Sequence, residues 1–181
     1  MKKRTPQEIF IETIKEMMQT RALDTISVQE ILDASGFSRP TFYRYYRDKR
    51  ELVEDVFKKE LSGPFFWDFS RSLEEREIEF LTHLRKNRPF YLNALKTSGQ
   101  NSFYHMWLDQ AVSSVARYYR SLPEYASVSN EDLTFCARYL SLAFVNMNID
   151  WLRDENPLPP EVMADKLGRV MRGGVDGFLQ A

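Results

Sequence analysis

Two short helices joined at a glycine constrain this chain more than any other feature of its sequence. Ser27 and Glu30 have the spacing of a capping box, so the first of these helices is predicted to begin beside Ser27. Gly36 lies where that helix must end in a left-handed residue, a conformation that costs glycine little. Ser38 can cap the next helix, and Pro40 falls in its first turn, where a missing N–H does no harm. This pattern predicts a helix-turn-helix module.

The second short helix is basic and aromatic along its outer side. Residues 36–50 contain five basic side chains and one acid, whereas the whole chain has 25 basic and 26 acidic residues, so the positive charge is local. A basic patch of this kind gains affinity for duplex DNA by releasing counterions. The hydroxyls of Tyr43, Tyr45 and Tyr46 can reach phosphate oxygens while their rings cover sugars or thymine methyl groups. Phe42 is expected to point the opposite way and to anchor the helix in the core.

The segment GFSRPTFYRYYRDKREL resembles the recognition segment of TetR/AcrR-type transcriptional repressors, and the similarity runs from about residue 10 to residue 61. The resemblance implies that Arg39, Pro40 and Thr41 face base edges. It also implies that Tyr43 and Tyr45 contact the DNA backbone, and that Lys49, at the start of the fourth helix, binds a phosphate. The position of Tyr46 is often apolar in the family and packs inward, so its role stays open. A second-helix position matched by Gln29 touches backbone or bases in relatives. The predicted DNA-binding residues are Gln29, Ser38, Arg39, Pro40, Thr41, Tyr43, Arg44, Tyr45 and Lys49.

A serine, a glycine and a proline at residues 62–64 end the fourth predicted helix and indicate a domain boundary. Residues 1–61 are therefore predicted to form a helix-turn-helix DNA-binding domain that includes the connecting helix, and residues 62–181 a helical ligand-binding and dimerisation domain. Apolar spacing predicts five further helices, over residues 73–87, 90–97, 102–120, 130–154 and 161–179. The predicted fold is all-α, with about nine helices.

The eighth predicted helix is apolar on more than one side, and a chain of 181 residues has little core to surround such a helix. We therefore expect a partner subunit, with the eighth and ninth helices of two copies forming a four-helix interface. The resemblance implies the same homodimer. The predicted interface residues are Phe135, Tyr139, Leu142, Asn146, Ile149, Val162, Leu167, Val170, Met171 and Val175.

The C-terminal half resembles the variable ligand domains of the same family, in particular the branch that contains regulators of dihydroxyacetone kinase operons. In the family scheme, a ligand enters the helices after the fourth one, tilts the fourth helix and releases DNA. The predicted ligand is a small, mostly apolar molecule. The predicted pocket residues, each of which could instead be ordinary core, are Trp67, Phe80, His83, Leu84, Tyr91, Leu95, Tyr104, Trp107, Phe144, Met147 and Asn148.

No motif in the sequence calls for catalysis, a cofactor or a metal site. The chain lacks a Gly-rich phosphate loop, a nucleophile elbow and an HExxH pair, and its two histidines, His83 and His105, lie among hydrophobic residues. A single cysteine, Cys136, and the absence of an apolar signal core favour a cytoplasmic protein.

The predicted function is that of a DNA-binding homodimer on a palindromic operator, most simply a repressor released by its ligand, although relatives that activate are also known. The alternative is a non-catalytic helical adaptor whose basic helix meets an acidic protein or a membrane.

Overall fold

The computed structural model describes residues 4–62, 71–97, 99 and 102–179, with side chains described as far as residue 170 except at residues 61, 62 and 73. Every regular element in these ranges is helical. The α-helices are α1 (Pro6–Met17), α2 (Val28–Ser35), α3 (Arg39–Tyr45), α4 (Lys49–Phe57), α5 (Leu73–Lys86), α6 (Arg88–Ala94), α7 (Phe103–Ser121), α8 (Asn130–Arg153) and α9 (Pro160–Leu179). A single π-turn (Lys58–Ser62) extends α4, and 3-10 turns precede α2 and α8 at Leu23–Thr25 and Pro123–Tyr125.

The predicted all-α class is confirmed, and the cap residues explain most of the helix starts. The hydroxyl of Thr5 accepts from the N–H of Glu8, and the Glu8 carboxylate accepts in return from the N–H of Thr5 at 2.7 Å. Ser27 and Glu30 form the same reciprocal pair at α2. At α8 the hydroxyl of Ser129 caps the helix by accepting from the N–H of Asp132 at 3.0 Å.

The described chain divides into two compact units, one formed by residues of 1–63 and 87–104 and the other by residues of 64–86 and 105–181. The sequence-based division at residue 61 did not anticipate that 87–104 belong to the first unit. Two contacts explain this. The Asn93 amide donates to the backbone carbonyl of Met18 at 2.9 Å, so α6 satisfies the end of α1. The rings of Phe103 and Phe57 also meet edge to face at 5.5 Å.

The first unit is built on α1, which packs against α2 and α4. Phe10 and Ile14 are fully buried on its inner side. An ion pair between Lys15 and Glu60, 2.5 Å apart, joins α1 to the turn that extends α4.

In the second unit α5 packs against α9 and α8, and α7 meets the first half of α8 around Tyr119, Leu133 and Cys136. Burial raises the pKa of the Cys136 thiol, as is typical of an inert, buried cysteine. No helix of the described chain combines the length and apolar character needed to cross a membrane.

Candidate nucleic-acid interface

The turn between α2 and α3 has the geometry that the sequence predicts. Gly36 ends α2 in the left-handed region with φ of 73°, and its N–H donates to the carbonyl of Leu32 at 2.9 Å. Ser38 precedes α3, but its hydroxyl contacts the Thr41 hydroxyl at 3.0 Å instead of accepting from the backbone. The cap position is therefore occupied as predicted, while the side-chain contact differs.

An aromatic cluster fixes the inner side of α3. The Phe42 ring lies 5.3 Å from Phe10 and 5.7 Å from Tyr46, and Phe10 also meets Phe37 at 5.2 Å. Phe42 is fully buried, which confirms its predicted role as the core anchor. The Tyr46 hydroxyl donates to the Asp55 carboxylate at 2.7 Å, and burial, followed by this carboxylate, raises the pKa of Tyr46. These contacts hold α3 against α1 and α4 by one side only.

The opposite side of α3 is open to solvent. Arg39, Pro40, Tyr43 and Arg44 are exposed and lie within one arc of the helix, because they are spaced by one, four and five residues. Thr41 is half-buried at the edge of this arc. We call the four exposed side chains the outer surface of α3.

Two arginines give the outer surface of α3 its charge. Arg39 donates to the side-chain oxygen of Gln29 at 2.9 Å, and Arg44 lies over the Tyr45 ring at 5.0 Å. Within the described residues neither guanidinium is in an ion pair. Arg47 and Arg50, by contrast, pair with Glu51 and Asp24 at 3.3 and 3.7 Å. The positive charge of residues 36–50 is therefore least compensated on α3 itself.

The ammonium of Lys49 contacts backbone carbonyls of the protein, whereas the family resemblance implies that it binds a phosphate. It donates to the backbone carbonyls of Leu23, Asp24 and Ile26, so the first residue of α4 holds the turn that precedes α2. Desolvation lowers the pKa of Lys49. No local sequence pattern indicates this contact, because its partners are carbonyls 23 to 26 residues away.

All nine predicted DNA-binding residues thus lie in α2, the turn, α3 and the first position of α4. Gln29 and Ser38 are exposed, whereas Tyr45 and Lys49 are half-buried. The structure brings eight of these side chains to the region around α3, and it occupies the ninth, Lys49, with protein carbonyls. Their contacts with DNA stay predictions.

An apolar stripe of the second unit faces solvent. Phe135 and Tyr139 on α8 are 62% and 67% exposed, and Val170 on α9 is 75% exposed. Leu142, Asn146 and Val162 are exposed as well, and Leu167 is half-buried. Ile149 was predicted to lie at the dimer interface, but it is 4% exposed and packs inside its own unit. The side chains of Met171 and Val175 lie outside the described residues.

The predicted pocket residues are divided between the two units. Tyr91, Leu95 and Tyr104 belong to the first unit. In the second unit, Phe80 contacts Trp107 at 6.1 Å and Phe144 at 5.8 Å, while Leu84 and Asn148 are buried and His83 is half-buried. Met147 was predicted to line the ligand pocket, but it is 48% exposed and cannot line an interior site of this chain. Trp67 lies outside the described residues.

The fold and the outer surface of α3 define a helix-turn-helix transcriptional regulator. The family profile for bacterial regulatory proteins of the tetR family matches residues 10–56, and the profile for a transcriptional regulator C-terminal region of the same family matches residues 72–173. The second match covers more than half of the chain. The protein belongs to the TetR family, whose members are non-enzymatic DNA-binding regulators.

Individual relatives agree with this assignment. The HTH-type dhaKLM operon transcriptional activator DhaS of Lactococcus lactis subsp. lactis (strain IL1403) is 32% identical over 109 residues, which are 58% of this chain and 55% of that protein. The match thus spans little more than half of that relative's length.

Solved structures of similar fold include a dihydroxyacetone kinase operon activator DhaS, with a TM-score of 0.67 and 20% identity over 96% of this chain and 98% of the other. The structure of NalD, the secondary repressor of the MexAB-OprM multidrug efflux pump in Pseudomonas aeruginosa, has a TM-score of 0.62 and 16% identity. The match covers 93% of this chain and 94% of the other.

Proposed function

We propose that this protein is a cytoplasmic homodimer that binds a palindromic operator sequence and regulates the adjacent genes. The observation that carries the proposal is the outer surface of α3, where Arg39 and Arg44 are exposed on a helix that Phe42 anchors from behind. An α-helix of this size fits the major groove of B-form DNA. In this proposal its first residues, Arg39, Pro40 and Thr41, read base edges.

The exposed stripe of α8 and α9 supports the homodimer. Isolated apolar side chains are ordinary on protein surfaces, but Phe135, Tyr139 and Leu142 follow one side of a single helix. Val162 and Val170 add to the exposed apolar area on α9. A twofold pairing through these helices would cover the stripe and present two copies of α3 to one duplex.

For regulation we propose release from the operator by a small, mostly apolar ligand, so that the protein acts as a repressor. The ligand must bind the DNA-free form more tightly than the DNA-bound form, since only differential affinity shifts the equilibrium. A second candidate, activation, is favoured by one observation: the relative with 32% identity is named an operon activator. A promoter–reporter measurement with and without the protein separates the two signs of regulation.

Binding of labelled duplexes, measured by fluorescence anisotropy, tests the DNA-binding part of the proposal. Arg39→Ala is expected to reduce discrimination between the operator and single-base variants by about 1–3 kcal/mol at one position. Arg47→Ala is the matched control, because it removes the same charge from a side chain that already pairs with Glu51. Equal effects of the two substitutions on discrimination would contradict the assigned role of Arg39.

A further inference from the structure

Buried polar atoms without a hydrogen-bond partner among the described residues of the second unit include Oδ1 of Asn148 and three others that lie on three different helices. These three are Oε2 of Glu77 on α5, Oγ of Ser114 on α7 and Oγ of Ser141 on α8. Their residues are 6%, 4% and 0% exposed. An unsatisfied buried polar group costs about 1–3 kcal/mol, so three of them form a substantial fraction of the about 5–15 kcal/mol that stabilises a typical protein. Such a set needs an explanation.

Helical spacing puts the three residues on the sides of α5, α7 and α8 that carry Phe80, Trp107 and Phe144. Glu77 is one helical turn from Phe80 on the buried side of α5, and Ser141 is one turn from Phe144 on α8. Ser114 is two turns from Trp107 along one side of α7. The contacts of Phe80 with Trp107 and Phe144 join these three helix sides. We call Phe80, Trp107 and Phe144 the aromatic trio.

Two further contacts fix the direction of each helix relative to the trio. The Arg76 guanidinium lies 5.5 Å from the centre of the Tyr118 ring. The direction toward the N-terminus of α5 is therefore the direction toward the C-terminus of α7. Tyr119 packs in one cluster with Leu133 and Leu140, so the direction toward the N-terminus of α8 is also the direction toward the C-terminus of α7.

Glu77 precedes Phe80, Ser114 follows Trp107 and Ser141 precedes Phe144. All three polar groups therefore lie on the Tyr118 side of the trio. With a rise of about 1.5 Å per residue, their backbone positions lie roughly 5 to 10 Å from its level.

The local chemistry favours an uncharged occupant. Burial raises the pKa of Glu77 to about 8, although the neighbouring Arg76 acts in the opposite direction. At neutral pH the group is then a carboxylic acid, which donates one hydrogen bond and accepts others, and the two serine hydroxyls do the same. A cationic ligand would be repelled by the nearby Arg76, and an anion would be buried at a high desolvation cost.

We propose that Glu77, Ser114 and Ser141 form the polar end of a ligand site whose apolar end is the aromatic trio. Its ligand is a small uncharged molecule that carries hydroxyl or carbonyl groups at one end and an apolar or aromatic body at the other. The site rests on the proposed function in one respect, since its occupant would be the regulatory ligand.

Four molecules that share a phenyl body test this chemistry with the full-length protein. They are 1-phenyl-1,2-ethanediol, its ammonium analogue phenylglycinol, the carboxylate mandelate and the hydrocarbon ethylbenzene. We expect the diol to bind at least about tenfold more tightly than each of the other three, as measured by calorimetry or ligand-observed NMR. Equal binding of all four, or no binding of the diol, would refute the site.

Single substitutions test whether the diol binds at these residues. Glu77→Leu and Ser114→Ala should each weaken diol binding by about tenfold, and Glu77→Gln, which keeps hydrogen-bonding capacity, by less than about threefold. Ser113→Ala is the matched control, because the neighbouring hydroxyl already donates to the carbonyl of Asp109. Glu77→Leu removes an unsatisfied buried acid and should unfold at a higher temperature than the wild type, so its loss of binding cannot be ascribed to misfolding. Unchanged binding by Glu77→Leu would overturn the assignment.

The proposed function fails separately from this inference. These binding measurements contain no DNA, so a protein that binds the diol but keeps the same operator affinity has the site and lacks ligand-controlled release. A protein that releases its operator in response to another molecule, without binding the diol, has the regulation but not this site.

Discussion

The ammonium of Lys49 donates to the carbonyl of Ile26 at 2.5 Å, which ties the start of α4 to the segment that enters α2. Two more carbonyls, of Leu23 and Asp24, accept from the same group at 2.7 and 3.2 Å. Since a lysine ammonium has three protons, these carbonyls account for its whole donor capacity. Lys49 therefore holds the turn before α2 against the start of α4, and a phosphate would have to displace one of these carbonyls.

Lys49→Met should lower stability and leave the salt dependence of DNA binding unchanged. Loss of hydrogen bonds from a charged donor is expected to cost about 2 kcal/mol in the free energy of unfolding. Each phosphate contact contributes about 0.9 to the slope of log Kobs against log salt concentration. A slope that decreases by about this amount in Lys49→Met would instead support the phosphate contact implied by the family resemblance.

Arg44→Met provides the comparison for that experiment. The Arg44 guanidinium is exposed and lies over the Tyr45 ring, so its removal should change the free energy of unfolding little. If Arg44 contacts a phosphate, the salt slope should fall by about 0.9. Lys49→Met should therefore lower stability without changing the salt slope, whereas Arg44→Met should lower the salt slope with little change in stability.

Gly36→Ala should destabilise the first unit by about 1–2 kcal/mol. The cause is the left-handed backbone alone, because a Cβ at this position would meet no atom within 4 Å. Gly36→Asn should cost less, since asparagine tolerates this region better than alanine. Thermal or urea unfolding of the two variants measures the difference. An equal loss in both would show that some other property of Gly36 matters.

Tyr139→Asp should convert the proposed homodimer to a monomer in sedimentation velocity, because it would place a charge in the middle of the apolar stripe of α8. Tyr43→Asp is a control with the same chemical change at another exposed tyrosine, on α3. It should leave the dimer intact and abolish DNA binding. A Tyr139→Asp protein that sediments like the wild type would place the interface elsewhere.

The stability of the wild type should fall as pH rises from about 4.5 to about 8 because of Glu77. The unfolded state loses this proton near the ordinary pKa of 4.5, whereas burial keeps the folded carboxyl protonated until about pH 8. Below pH 4.5 both states are protonated and the effect vanishes. The decrease should reach a few kcal/mol, and Glu77→Gln should remove it. Unfolding free energies at pH 5, 6.5 and 8 make the comparison, and parallel curves would contradict the buried acid.

Local sequence signals predicted the helices well, since each signal acts within one turn. The capping pair at Ser27 begins α2 and the glycine at 36 ends it, both as expected. The exposed surface of α3 was predictable for the same reason, because Phe42 and the basic residues around it alternate along a single short helix.

Long-range contacts explain what the sequence did not show. The bond from Asn93 to Met18 joins residues 75 positions apart and places α6 in the first unit. Glu77 lies in the charged stretch Leu73–Lys86, where most charges point outward, and only the packing of α5 against α8 and α9 reveals that it is buried. Ile149 and Met147 were exchanged in the prediction between interior and surface, because α8 has apolar residues on several sides.

Selection of bound fragments from genomic DNA tests the central claim most directly, that two copies of α3 read one operator. The account predicts fragments that share two inverted half-sites, with centres about 34–36 Å apart or a multiple of that distance. Arg39→Ala should lose or relax this shared sequence. Fragments without a common inverted repeat, or the same fragments selected by wild type and Arg39→Ala, would contradict it.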